Sequence, residues 1–206
     1  ALSEQERNEV LSAFQSRWDQ IDSDSTSIRS VGPTIGEELR QQAFWALLIA
    51  ITGMIIYITL RFEFKFAIAA IVALVHDALI VLTVFSLLQI EINSAFVAAI
   101  LTIIGYSIND TIVIFDRIRE NLKGRTKADF KAIINQSINN TLVRSINTSA
   151  TTLVVLIMLF VFGGVALQPF IAALLIGVIA GTYSSIFIAS QVWFSWKQYS
   201  LGRNEA

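Results

Sequence analysis

The chain has 206 residues, of which 54% are hydrophobic and only 15% are charged, and its formal net charge is −1. With a mean hydropathy of +0.63, this composition excludes an ordinary soluble domain and indicates an integral membrane protein. The near-neutral charge gives no support for nucleic-acid binding. The lack of cysteine, together with a single histidine, excludes a disulfide framework and argues against a structural zinc centre.

The first 42 residues are polar and differ from the rest of the chain. Ser3 and Glu6 have the spacing of a capping box. Apolar residues then recur at helical spacing, namely Val10, Phe14, Trp18 and Ile21. This pattern predicts an amphipathic helix of about 18 residues, whereas the glycines and proline of residues 31–36 predict a non-helical approach to the bilayer. One helix is too small for an independent core, so we interpret residues 1–42 as the remnant of an extracytoplasmic domain.

Five apolar stretches follow, and each is 18 to 25 residues long. They cover approximately residues 43–60, 66–88, 94–115, 146–167 and 169–193. Each stretch is long enough to cross a hydrocarbon core of about 30 Å as a helix. The sequence therefore predicts an all-α transmembrane domain over residues 43–196.

The basic residues of the connections lie on one side of the predicted bundle. Lysine and arginine occur in residues 61–65, in residues 117–144 and in the tail 197–206, but not in the opposite connections. By the positive-inside rule this side is cytoplasmic, so the first 42 residues lie outside. Because nothing in those 42 residues resembles a signal peptide, we expect the chain to be a fragment or a cleaved product that lacks an earlier membrane segment.

The long basic connection contains a second amphipathic pattern, over residues 127–144. Its apolar residues recur at helical spacing: Phe130, Ile133, Ile134, Ile138 and Leu142. Four basic residues, Lys123, Arg125, Lys127 and Lys131, lie around its start. We predict a helix that lies along the cytoplasmic membrane surface and contacts anionic lipid headgroups. Docking of a partner protein on the same face is the alternative.

An acidic residue, Asp110, lies inside the third apolar stretch. If the segment is helical, Asp110 is about 9 Å from the water line at Asp116, at about 1.5 Å per residue. A carboxylate at that depth is costly unless it is paired, hydrated or protonated. Arg144 enters the fourth stretch from the same side and is the predicted partner of Asp110. Polar residues extend the band, namely Ser107, Asn109, Thr111, Asn147 and Thr148. We predict an ion-responsive site here, and a snorkelling acid is the alternative.

Two further features lie deeper in the predicted bundle. His76 and Asp77 are about 16 Å into the second stretch, near the membrane midplane. They form either a link in a proton or ion path or a hydrogen-bonded pair that stabilises helix packing. Gly177 and Gly181 have the spacing of a small-residue helix-packing motif.

Four segments carry a resemblance to a known family. They are Val31–Leu39, His76-Asp77, Gly105–Asn121 and the Arg144-Ser-x-Asn-Thr-Ser149 segment. Together they resemble the SecF family, the smaller half of the SecD–SecF accessory complex of bacterial protein translocation. The resemblance implies half of a resistance-nodulation-division-type bundle with six spans. This sequence departs from that pattern, because it contains five spans and only the last part of the extracytoplasmic domain.

The resemblance also implies a site and partners. Asp110 and Arg144 match the positions of a charged cluster that is coupled to ion flow, with Asn109 in the same motif. The implied function is the use of the proton or sodium motive force to promote late steps of preprotein translocation. The implied partners are a SecD-type subunit, the Sec channel with its preprotein, and membrane lipids.

Two other functions remain open on the sequence alone. One is a subunit of an ion-coupled resistance-nodulation-division-type transporter for small molecules or lipids, which would share the buried acid. The other is a passive scaffold, in which the polar residues only hold helices together. No nucleophile–base pair, phosphate loop or metal cluster occurs at usable spacing. We therefore predict neither an enzyme nor a cofactor.

Overall fold

A computed structural model describes residues 9–10, 12–13, 33–123 and 130–202. The longer helices are, in chain order, α1 (Pro33–Arg61), α2 (Phe64–Leu87), α3 (Ser94–Leu122), α4 (Phe130–Phe162), α5 (Gln168–Ser184) and α6 (Ser190–Gly202). A 3₁₀ turn at Val165–Leu167 precedes α5, and a π-helical turn at Ser185–Ala189 joins α5 to α6. The described residues contain no strand.

Five of these segments are long and apolar enough to cross a membrane: Glu37–Arg61, Phe64–Leu87, Ser94–Leu122, Phe130–Phe162 and Val165–Tyr199. The prediction of an all-α protein with five spans is thereby confirmed. The last span is one continuous path through α5, the π-helical turn and α6. The chain divides into two units, Ala1–Gln42 and Ala43–Ala206. Helices α2 to α5 pack together in the second unit, whereas little of the first span is buried.

Helix α1 begins earlier than the sequence suggests. The expected non-helical approach over residues 31–36 is wrong from Pro33 onward, because residues 33–36 are already helical. Proline is compatible with the first helical position, since its ring presets the backbone angle and no intrahelical N–H bond is needed there. Of the predicted N-terminal helix, residues 9–10 and 12–13 are helical, and the rest lies outside the described residues.

The predicted surface helix and the predicted fourth span are not separate elements. Residues 130–162 form one helix of 33 residues, α4. The prediction that the two are separate is wrong, because the helix continues without a break from residue 130 to residue 162. The position of its first turns relative to the membrane surface stays a prediction. Ile133 and Ile134 are buried, and Ile134 joins a core cluster with Ile114 and Ile118 of α3. The face assigned to lipid or to a partner therefore packs against α3.

Cysteine labelling tests the packing of this segment, because the chain has no native cysteine. Gln136→Cys and Asn139→Cys should react readily with a membrane-impermeant maleimide, since both positions are exposed. Ile134→Cys should react slowly with both impermeant and lipid-soluble maleimides, since Ile134 is 2% exposed. Fast labelling of Ile134→Cys by the lipid-soluble reagent alone would place this face against lipid.

Two apolar clusters hold the bundle together at different levels. In one, the Phe66 ring of α2 stacks on the Trp193 ring of α6 with centroids 4.6 Å apart, and it also contacts Phe115 of α3 at 4.8 Å. In the other, Phe85 of α2 contacts Phe96 of α3 at 4.8 Å. Between these clusters, α2, α3 and α5 surround a polar centre of buried residues: Asp77, Ser107, Thr111, Ser184 and Ser185.

Candidate functional site

A row of hydroxyl side chains on α4 faces α3. Its members recur every fourth residue and are all buried: Ser137, Thr141, Ser145 and Ser149. Towards one end, the Asn121 amide of α3 donates to Ser137 Oγ at 2.8 Å. At the other end, the Tyr106 hydroxyl of α3 donates to Ser149 Oγ at 3.4 Å. From the first contact to the second, the residue number falls along α3 and rises along α4, so the two helices are antiparallel.

Asp110 lies on α3 between those two contacts. The residue is 4% exposed, and its Oδ2 atom is buried with no hydrogen-bond partner. Most buried polar atoms in proteins have a partner, because an unsatisfied one loses its hydration without compensation. The Oδ2 atom of Asp110 therefore accepts no hydrogen bond that would stabilise the fold.

Arg144 of α4 is the positive charge that interacts electrostatically with Asp110. The contacts at Ser137 and Ser149 place the two residues at corresponding levels of the antiparallel helices. No direct ion pair between them is present among the described residues. Arg144 instead lines a cavity of about 440 Å³ between α1, α3 and α4.

The cavity lies at one end of the bundle, and most of the ionisable residues at that end are exposed. Arg61 of α1 pairs with Asp116 of α3 at 3.2 Å, and Arg117 pairs with Glu120 at 2.7 Å. Among the described residues of the cavity wall, both acids are thus paired with arginines, and Arg144 is the third arginine. We call this end, which also carries Lys197 of α6, the basic end. Such exposed pairs contribute little to stability, about 0–1 kcal/mol each.

The rest of the predicted polar band divides into two groups. Asn109 and Asn147 are exposed, and Thr148 donates to the Arg144 carbonyl of its own helix at 2.9 Å. None of these three makes a described hydrogen bond to Asp110. Ser107 and Thr111, in contrast, are buried and belong to a second site around Asp77.

Asp77 of α2 is the centre of that second site and is 1% exposed. Its Oδ2 accepts hydrogen bonds from Ser107 Oγ of α3 at 2.7 Å and from Ser184 Oγ of α5 at 2.8 Å. Its Oδ1 lies 3.1 Å from Nδ1 of His76, which is partly exposed. One carboxylate therefore joins three helices, and both of its oxygens have partners.

The π-helical turn continues this network. Ser185 is its first residue, and Ser185 Oγ lies 2.9 Å from Thr111 Oγ1 of α3 and 3.2 Å from the Ser107 carbonyl. Ser190 Oγ reaches back to the Ser185 carbonyl at 3.3 Å, five residues earlier. A π-helical turn shifts the register of a helix by one residue and often occurs at functional sites. Here it lies where α5 passes the polar centre.

The predicted glycine motif lies at the closest approach of α5 to α3. A side chain at Gly177 would overlap Ile103, and a Cβ at Gly181 would come 2.9 Å from Ser107 Cβ. Without these side chains, α5 comes close enough for Ser184 and Ser185 to reach α2 and α3. The geometry is that expected for a small-residue packing motif.

Sequence reasoning missed several residues of these sites. Ser184 and Ser185 follow the glycine motif and look like small packing residues in the sequence, but they bond Asp77 and Thr111. Ser145 was not singled out, and neither was the Ser149–Thr182 pair at 2.6 Å. The four-residue repeat of hydroxyls in α4 is visible in the sequence and is the signal that could have found Ser145 and Ser149.

Known proteins resemble the chain over most of its length. The family described as "Protein export membrane protein SecD/SecF, C-terminal" matches residues 11–199. The chain is 48% identical over 183 residues to the protein translocase subunit SecDF of Bacillus subtilis, covering 87% of the chain and 25% of that protein. It is 49% identical over 177 residues to the protein translocase subunit SecF of Alicyclobacillus acidocaldarius, covering 84% of the chain and 58% of that protein.

A third relative and a solved structure extend this picture. The SecF of a Synechocystis species is 41% identical over 207 residues, covering 98% of the chain and 66% of that protein. The crystal structure of SecDF in the super-membrane-facing form is similar with a TM-score of 0.81 and 36% identity, covering 99% of the chain and 27% of that structure. The chain thus spans between a quarter and two thirds of the length of these relatives.

Proposed function

This chain belongs to the protein export membrane protein SecD/SecF C-terminal family, and from that premise we propose that it is the membrane-spanning part of a SecF-type export subunit. The subunit uses the proton or sodium motive force to promote late steps of Sec-dependent preprotein translocation. The proposal rests on the match to translocase subunits. It is supported by the buried Asp110, whose Oδ2 atom has no hydrogen-bond partner. The alternative of a transporter for small molecules or lipids has no comparable support.

The proposed assembly places this chain beside a SecD-type half. Support comes from the SecDF relatives, of which the chain matches only about a quarter. The remaining partners, which are the Sec channel, the preprotein and membrane lipids, follow from the proposed function. The exposed apolar side chains of α1 and α4 are suited to contact lipid or neighbouring spans.

The chain is a multi-pass membrane protein, and we assign its orientation by charge. The basic end carries Arg61, Arg117 and Lys197, so we place it in the cytoplasm. Residues 1–42 then lie outside. In this orientation the cavity of about 440 Å³ beside Arg144 lies at the cytoplasmic end of the bundle.

The proposed mechanism assigns different tasks to the two buried acids. Asp110 binds the coupling ion, because its free Oδ2 can accept a proton or ligate a cation. Arg144 balances the negative charge when the ion leaves. Moving one charge across 100 mV supplies about 2.3 kcal/mol, which is enough to bias a two-state equilibrium about fiftyfold. The ion-dependent change in charge would then alter how α3 and α4 pack.

The hydrogen bonds of Asp77 indicate a structural role instead. A polar group that only holds helices together should have its hydrogen bonds satisfied, as the Asp77 carboxylate does. We therefore assign His76 and Asp77 to helix packing rather than to the ion path. The passive scaffold remains a second candidate for the whole chain, favoured by this network alone.

Gradient-dependent preprotein release tests the proposed function. The complete complex, with its SecD-type half and the Sec channel, is reconstituted in vesicles that hold a partly translocated preprotein. Release should be faster with the complex than without it, and an ionophore that collapses the gradient should remove the difference. Acceleration that survives the ionophore would favour the scaffold. Failure of this chain to co-purify with a SecD-type half would reject the proposed assembly.

A further inference from the structure

Ser145 differs from the other hydroxyl residues of its row on α4. Ser137 Oγ donates to the Ile133 carbonyl at 2.7 Å, and Thr141 Oγ1 donates to the Ser137 carbonyl at 3.1 Å. Ser149 Oγ lies 2.6 Å from Thr182 Oγ1 of α5. Ser145 Oγ is buried, in a residue that is 1% exposed, and has no hydrogen-bond partner. Local bonding to the helix, the usual outcome for a serine in a helix, does not occur here.

Ser145 and Asp110 occupy corresponding levels of α4 and α3. Ser145 is four residues before Ser149, and Asp110 is four residues after Tyr106, whose hydroxyl contacts Ser149. The helices are antiparallel, so one turn in each direction from that contact leads to Ser145 and Asp110. Two of the four buried side-chain atoms without a partner in the described chain are therefore found at one level of one interface.

Two unsatisfied oxygens at one level are not explained by packing. Each loses hydration on burial, and a direct bond between them would satisfy both, yet no such bond is formed. Polar atoms of this kind are usually completed by water or an ion. A carboxylate oxygen and a hydroxyl oxygen are both ligands for small hard cations, and both accept hydrogen bonds from a hydrated proton.

We propose that Asp110 and Ser145 together form a binding site for one small monovalent cation that is coordinated by oxygen, either hydronium or sodium. This inference rests on the proposed function and adds Ser145 as a ligand of the coupling ion. The ion would lie between Asp110 Oδ2 and Ser145 Oγ, and its charge would replace that of Arg144 as the partner of the carboxylate.

The charged surroundings of the site are simple. Arg144 on α4 is the positive charge that acts on Asp110. Helix α5 carries no Asp, Glu, Lys, Arg or His over its described length. On α2, Asp77 and His76 are engaged with each other and with serines, and Arg61 of α1 is paired with Asp116. Among the described residues, Arg144 is therefore the positive charge that would oppose a cation at the site.

Ion titration of variants tests the proposal. The complete complex is reconstituted, and gradient-dependent preprotein release is measured against sodium at fixed pH and against pH without sodium. Ser145→Ala should raise the cation concentration for half-maximal activity about tenfold, as expected for loss of one ligand to a charged species. Ser145→Cys should do the same while nearly keeping the side-chain volume. Ser137→Ala is the matched control, since Ser137 is buried on the same helix but its hydroxyl already bonds the Ile133 carbonyl and the Asn121 amide.

Each outcome supports or overturns the proposed cation site. A shift confined to the sodium series identifies sodium, and a shift confined to the pH series identifies hydronium. Unchanged half-maximal concentrations for both Ser145 variants would overturn the site, and so would an equal shift in Ser137→Ala. Asp110→Asn in the same assay separates the two proposals. If that variant loses the gradient response while the Ser145 variants titrate as wild type, the proposed function stands and this inference fails.

Discussion

Asp110→Asn is expected to remove nearly all of the stimulation of preprotein release by the ion gradient, while the protein stays folded and bound to its SecD-type partner. Asparagine keeps the size of the side chain and much of its hydrogen bonding, but it cannot be ionised. If Asp110 only packed against α4, asparagine should serve as well or better, because a neutral amide costs less to bury than a carboxylate. The measurement is release from energised vesicles, beside the thermal stability of the purified complex.

Asp116→Asn is the matched control for this experiment. Asp116 lies on the same helix, but it is exposed and pairs with Arg61 at the basic end. Its neutralisation should leave gradient-dependent release close to that of the wild type. Release at the wild-type rate with Asp110→Asn would remove the ion-coupling task from Asp110. Equal losses in both variants would point to the net charge of this end of the bundle instead.

Asp77→Ala is expected to destabilise the bundle by about 3 kcal/mol or more. The substitution leaves the hydroxyls of Ser107 and Ser184 and the ring of His76 without their common acceptor. Each buried polar group that loses its partner costs about 1–3 kcal/mol. The denaturation midpoint of the purified complex in detergent measures the effect. Asp77→Asn should cost less, because its amide oxygen can still accept from the two serines.

Asp116→Ala is the reference for this second prediction. It breaks an exposed ion pair, for which about 0–1 kcal/mol is expected. If Asp77→Ala unfolded at the same midpoint as the wild type, the carboxylate would not hold the three helices together. Normal stability combined with a lost gradient response would return Asp77 to the ion path.

The spans could be predicted because hydrophobicity and length alone determine them. What holds the spans together could not. Ser184 and Ser185 look like ordinary small residues of a packing motif, and their roles depend on the close approach permitted by Gly177 and Gly181. The π-helical turn at Ser185–Ala189 has no sequence signature, and it packs against α2 and α3.

Helix α4 shows a second limit of sequence reasoning. Its first turns have the same amphipathic pattern whether the apolar face meets lipid or another helix. The choice depends on α3 extending as far as Leu122, so that Ile133 and Ile134 can be buried against it. Similarly, the depth of Asp110 and Arg144 could be estimated from residue counts, but the lack of a direct ion pair depends on side-chain directions around each helix.

Ion uptake tests most directly whether Asp110 couples ion movement to the export complex. Proteoliposomes that contain the complete complex are given a proton or sodium gradient, and uptake of the ion is followed with an indicator dye for wild type and for Asp110→Asn. Gradient-driven uptake is expected in the wild type and should fall to the level of empty vesicles in the variant, with the same amount of folded complex in both. Equal uptake by the two proteins would contradict the account.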